Sequence, residues 1–139
     1  MSQKVRDVMS TELIVCDDTA TVADVARVMR DRHIGDVLVS SNGRLRGIAT
    51  DRDIVVRCVA EGGNVEGASI GGLLSTDPIM IDPNAPVEDA VRRMAEHSIR
   101  RLPVVDDGKL VGVVSLGDLA RDRDEKSALA SISSARPNT

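Results

Sequence analysis

The chain contains no phenylalanine, tyrosine or tryptophan. Its interior must be built from Val, Ile, Leu, Met and Ala. It also lacks an aromatic platform for stacking exposed bases, which argues against the single-stranded nucleic-acid modules that depend on one. Cysteine is scarce: Cys16 and Cys58 are too few for a disulfide framework, and with His33 and His97 they show no metal-ligand spacing. Free buried thiols in a reducing compartment are expected. No apolar run approaches the roughly eighteen residues of a membrane span, and Met1–Ser10 is charged where a signal peptide would be apolar. The expected location is the cytoplasm. Positive charge is not in surplus either: 18 Lys and Arg against 22 Asp and Glu give a net charge of −4. That balance gives no general attraction to nucleic acid or to a membrane surface.

The composition present is that of a folded domain, with 42% hydrophobic and 29% charged residues over 139 positions. A chain of this length buries roughly two thirds of its unfolded surface, as one domain or as two small units sharing a core. Its strongest internal signal is a duplication. Residues 5–55 align without a gap on 70–120, with fifteen identities that include Ser10/Ser75, Asp17/Asp82, Met29/Met94, Gly43/Gly108 and Gly47/Gly112. The chain therefore divides into a first repeat (5–60), a glycine-rich polar connector (61–69), a second repeat (70–123) and a tail (124–139).

Each repeat opens with a short helical turn, Val5–Met9 or Ile70–Leu74, and then a short apolar strand, Leu13–Cys16 or Ile79–Ile81. A helix follows: Val22, Val25, Ala26 and Met29 recur as Val87, Ala90, Val91 and Met94 at i, i+3, i+4 and i+7, behind Pro86 in the second copy. The two methionines belong to the core stripe. Two strands joined by Asn42-Gly43 or Asp107-Gly108 read as a hairpin. A second helix, Asp51–Ala60 or Leu116–Arg123, closes each copy. The two histidines fall near the ends of the first helices, where helix capping or exposure accounts for them.

The hairpins deliver the chain to its most informative stretch. Gly47-Ile48-Ala49-Thr50-Asp51-Arg52-Asp53 is repeated 65 residues later as Gly112-Val113-Val114-Ser115-Leu116-Gly117-Asp118. An apolar strand running through a hydroxyl residue into a helix brings unpaired helix N–H groups, which attract anions, next to a carboxylate that can accept bonds from a diol. A ribonucleotide offers both partners. The same Ser/Thr-x-x-Asp spacing is also a helix-capping pattern, which needs no ligand.

A tandem β-α-β-β-α repeat, each copy ending in Gly-h-h-Ser/Thr-x-x-Asp, resembles a pair of CBS (cystathionine-β-synthase-type) domains. Ile99-Arg100-Arg101-Leu102-Pro103-Val104-Val105-Asp106 and Thr50-Asp51-Arg52-Asp53-Ile54 match that family's wording, and the likeness runs from residue 5 to about residue 123. It implies an α/β (α+β) fold in which two such repeats are related by a pseudo-twofold axis, a stand-alone Bateman module. It further implies a homodimer formed through the helices and an adenine nucleotide (AMP, ADP or ATP) bound between the repeats. No cofactor is required, and the module acts on an unknown protein target by a change of shape or assembly. In that frame Asp53 and Asp118 accept from ribose hydroxyls, and Thr50 and Ser115 hold ribose or phosphate. Ile14, Val37, Ile79 and Leu102 wall the adenine.

The copies differ where phosphate charge must be met, with Arg100-Arg101 in the second and Gly35-Asp36 in the first. Arg is the natural phosphate clamp. Arg52 has no basic counterpart, since Gly117 replaces it, so Arg52 and Arg101 could serve one phosphate from opposite sides. Unequal sites are expected. Catalysis is not: neither cysteine has a recognisable histidine setting, and Asp51 and Asp53 at a helix start suit the helix dipole better than acid–base work. The alternative without a ligand is a structural or stress-associated dimer whose hydroxyl and Asp positions are only caps.

Overall fold

A computed structural model describes residues 3–74 and 78–123; the tail lies outside them. The chain folds into two compact units. One holds Ile14–Pro78, most of the first repeat, and is called here the first-repeat unit. The other joins the chain up to Leu13 to the chain from Ile79 onward and is the second-repeat unit.

In the first-repeat unit, strand β1 (Val15–Asp17) runs parallel to β2 (Asp36–Ser41), and β2 pairs antiparallel with β3 (Arg44–Thr50). The hairpin turns at Asn42 and Gly43 with φ of 53° and 79°, a left-handed pair that Asn-Gly adopts at little cost. Helix α2 (Val22–Arg32) starts at Thr21, whose hydroxyl accepts from the Asp24 N–H at 3.0 Å, and stops at His33 in the left-handed region. Its stripe of Val22, Val25 and Met29 meets Val37, Val39 and Ala49 from the hairpin in one buried core. The connector does more than join the repeats. Val65 and Ala68 pack on that core, and their carbonyls accept from the Ala23 and Val22 N–H groups, satisfying donors at the start of α2.

The second-repeat unit repeats the plan with α4 (Val87–His97), β4 (Arg101–Asp106), β5 (Lys109–Ser115) and α5 (Leu116–Arg123). Its core gathers Val87, Ala90 and Met94 with Leu102, Val104, Val114 and Leu119. The expected strand at Ile79–Ile81 is reduced to a single parallel bridge from Ile81 to Val104. Pro78 and Pro83 flank it, and neither can donate to a ladder. The matching strand of the first copy sits at Val15–Asp17 rather than Leu13–Cys16, with Cys16 half-buried.

Two further expectations need correction. The helix after Thr50 is α-helical only as α3 (Asp51–Asp53) and continues as a π-helix over Ile54–Val59. Four of those six residues are β-branched and resist the tighter turn, whereas α5 holds none among Leu116–Arg123 and stays α-helical. Second, each opening segment joins the unit of the other repeat. Helix α1 (Val5–Val8) buries Val5 completely among the second-repeat side chains. Val5 N–H donates to Ala85 O at 2.9 Å, Arg6 N–H to Pro83 O at 2.9 Å, and Ser10 exchanges bonds with Val113. Gly112 makes room for this segment, since a Cβ there would stand 2.5 Å from Met9 Sδ. In return, the 3₁₀ turn Ile70–Leu73 buries Ile70 in the first-repeat core, with its N–H on Ala20 O at 2.8 Å.

Candidate functional site

Thr50 and Ser115 end their strands in half-buried positions and turn directly into a helix. At the first corner Thr50 Oγ1 accepts from the Asp53 N–H at 3.0 Å, while Asp53 Oδ2 accepts from the Thr50 N–H at 2.9 Å. At the second, Ser115 Oγ accepts from the Asp118 N–H at 3.1 Å and Asp118 Oδ2 from the Ser115 N–H at 2.9 Å. Both are reciprocal capping boxes. The capping alternative is therefore physically present, and it uses one oxygen of each carboxylate. Oδ1 is the atom that remains for a hydroxyl donor.

The expected ring of unpaired helix donors is not found at the first corner. Asp51 N–H donates to Gly35 O at 2.9 Å, Arg52 N–H to the Asp51 carboxylate at 2.8 Å, and Asp53 N–H to Thr50. A three-residue α-turn whose own caps take all three groups has none left for an anion. At the second corner Leu116 N–H is likewise taken, by Arg100 O at 2.8 Å. Phosphate recognition at these corners falls to side chains.

Strand register sets those side chains apart. Asp36 lies opposite Thr50, and Arg101 lies opposite Ser115. Asp51 packs against Gly35, where a Cβ would meet its carboxylate at 3.2 Å. The first corner thus collects Asp36, Asp51 and Asp53, with the exposed Arg52 as its cation, and the second sets an exposed Arg101 beside Ser115 and Asp118. Arg52 and Arg101 belong to different units. Of the four candidate adenine walls, Ile14 and Ile79 keep part of their surface open at the edges of their cores. Val37 and Leu102 do not: they are 2% and 0% exposed, paired with Ala49 and Val114, and act as core residues.

Two arginines were missed by sequence reasoning. Arg121 Nη2 lies 2.7 Å from Asp118 Oδ1, one turn along α5. Arg57 points Nε toward Asp53 Oδ1 at 3.9 Å but donates Nη1 to Leu73 O at 2.9 Å. The Asp-x-x-Arg spacing of Asp118 and Arg121 was a legible i, i+3 pair. Elsewhere, burial and the charge of Asp24 push the Cys16 thiol above its ordinary range, so it stays protonated at neutral pH.

A family model for the CBS domain matches residues 5–59 and again residues 70–125. The chain belongs to the CBS-domain family. It is 38% identical over 133 residues to the CBS domain-containing protein YhcV of Bacillus subtilis, covering 93% of this chain and 94% of that one. It is 34% identical over 121 residues to Hypoxic response protein 1 of Mycobacterium tuberculosis, covering 86% and 85%. A crystal structure of Hypoxic Response Protein I with two coordinated zinc ions superposes with a TM-score of 0.82 at 33% identity, covering 86% of this chain and 98% of that one. The CBS domain pair of MJ0100, crystallised with 5′-methylthioadenosine and S-adenosyl-L-methionine, shares the fold at a TM-score of 0.77 and 24% identity, covering 91% and 100%. Among the described residues of the two CBS repeats, no three His, Cys, Asp or Glu side chains gather to hold a metal ion. None of the described helices is long and apolar enough to cross a membrane.

Proposed function

We propose that this CBS pair is a regulatory module that binds an adenine nucleotide of the AMP, ADP or ATP type at its Ser/Thr-x-x-Asp corners. It acts on a partner protein through a change of shape or assembly and performs no catalysis. The observation that carries this reading is the duplicated corner itself: a hydroxyl, a carboxylate with one oxygen outside its capping box, and at the second corner an arginine set in register beside them. The adenosine compounds held by the CBS pair of MJ0100 support the ligand class. Arg101 makes the second corner the better phosphate site, and the carboxylates of Asp36 and Asp51 make the first a poor one. Calorimetric titration with AMP, ADP, ATP, NAD and S-adenosylmethionine is expected to give saturable binding to at least one adenine nucleotide. A flat titration across the whole panel would leave the duplicated corner as a cap and nothing more.

Assembly is part of the reading. Val55, Val56 and Val59 are 58%, 45% and 57% exposed on the π-helix. In the second-repeat unit Val91, Met94, Ile99, Leu116, Leu119 and Ala120 line an apolar groove of about 350 Å³. Helix faces of this kind suit a second copy of the chain, in line with the helix-mediated pairing that the family resemblance implies. Light scattering is expected to give twice the chain mass. Val55→Glu with Val59→Glu should shift it toward the monomer; an unchanged dimer would move the interface elsewhere.

A further inference from the structure

The two candidate carboxylates are not equally available, and the cause is a cation present in only one copy. Asp118 Oδ1 is held at 2.7 Å by the Arg121 guanidinium, and the Asp118 side chain is 14% exposed. Asp53 Oδ1 has its arginine at 3.9 Å, because Arg57 is drawn off to Leu73 O, and the Asp53 side chain is 26% exposed. Overlaying the repeats puts Val56 where Arg121 stands, so the first copy cannot make the same contact. Arg121 is itself half in solvent, 53% exposed, and nothing else printed in its surroundings anchors it.

We propose that Arg121 is a selectivity latch on the second corner, favouring phosphate-bearing adenosine ligands over uncharged nucleosides. This rests on the nucleotide-binding reading and says what that corner discriminates. A neutral nucleoside reaching for Asp118 Oδ1 must displace a cation and leave it without a partner. A nucleotide brings its own anion, so Arg121 exchanges one charge-assisted bond for another as the ribose hydroxyls take over the carboxylate. Selectivity arises as a difference between two affinities, with the penalty falling on the wrong ligand. The first corner has no such device and discriminates less. Arg121 is a positioning and specificity residue in this scheme, acting partly through Asp118.

The test is a site-resolved titration of the full chain with adenosine and with AMP. Backbone amide resonances of Asp118 and Leu119 report the second corner, and those of Asp53 and Ile54 the first. In Arg121→Gln, adenosine should bind the second corner about threefold to fivefold more tightly, the size of an exposed ion pair. AMP should bind it about fivefold to tenfold more weakly through loss of a charge-assisted bond. The AMP-to-adenosine preference at that corner then falls by roughly tenfold or more, while the first corner is unmoved. Arg121→Lys, which keeps the charge, should restore most of the preference; a role in helix stability alone would change both ligands together. Binding at both corners with an unchanged preference in Arg121→Gln overturns the latch and leaves the nucleotide reading standing. A wild-type chain that binds neither ligand at either corner overturns both.

Discussion

Removing residues 1–13 is expected to unfold the second-repeat unit while the first-repeat core persists. The segment supplies Val5, fully buried among Ile81, Val87, Leu102 and Leu119. It also supplies backbone bonds from Val5, Arg6 and Ser10 and an acceptor for the Val87 N–H. Burying one valine contributes about 1.5–3 kcal/mol and each hydrogen bond about 1 kcal/mol net. The freed segment regains backbone entropy, which offsets part of the loss. A remainder of about 3–5 kcal/mol is comparable with the whole stability of a small domain, commonly about 5–15 kcal/mol. Amide spectra of the truncated chain should show collapsed dispersion for α4, β4 and β5, with α2, β2 and β3 intact. A peptide of residues 1–13 added in trans should recover it. A urea midpoint indistinguishable from that of the full chain would show that the docking of α1 contributes no stability.

The second large effect separates capping from ligand binding at the same residue. Asp53→Ala with Asp118→Ala removes both roles, so loss of binding there could follow from a damaged helix start, which costs about 0.5–2 kcal/mol per cap. Asn is the sharper probe. Its amide oxygen can still accept from the Thr50 or Ser115 N–H and keep the box closed, while its NH₂ replaces Oδ1 and presents a donor where a ribose hydroxyl needs an acceptor. Each lost charge-assisted bond is worth about 1.5–3 kcal/mol, so AMP affinity in Asp53→Asn with Asp118→Asn should fall at least tenfold at each corner, with little change in melting temperature. Calorimetry and thermal melts on the same samples decide it. Wild-type affinity in the Asn pair would mean that these carboxylates serve only their own backbone.

Where sequence and structure agree, the cause is local. The Asn42-Gly43 and Asp107-Gly108 turns, the Val-Val-Met stripe of α2 and its copy in α4 depend on neighbours within a few residues, so they could be read directly. Where they part, the cause is distant or competitive. A repeat overlaid on itself cannot reveal which unit an opening segment joins, because Val5 and Ile70 fit equivalent places in either copy. The π-helix followed from four β-branched residues in a row of six, a weak preference that tertiary context turned into a different helix. At the corners, the types of residue were legible but not their bonds. Thr50, Ser115 and the two aspartates were found, and the local caps then consumed the N–H groups assigned to an anion. Arg101 beside Ser115 was within reach of pattern reasoning, since hairpin register follows from turn length. Val37 and Leu102 were placed correctly on their strands but on the inward face.

The crossed docking of the two opening segments also bears on how the chain is made. About a hundred residues separate Ser10 from Val113, its partner on β5. At roughly 5–20 residues per second on the ribosome, the N-terminal segment emerges about 5–20 s before its seat exists. The first-repeat unit can close once Ile70 has appeared, so it matures first, while the apolar face of α1 waits for the last strand of the protein to be synthesised.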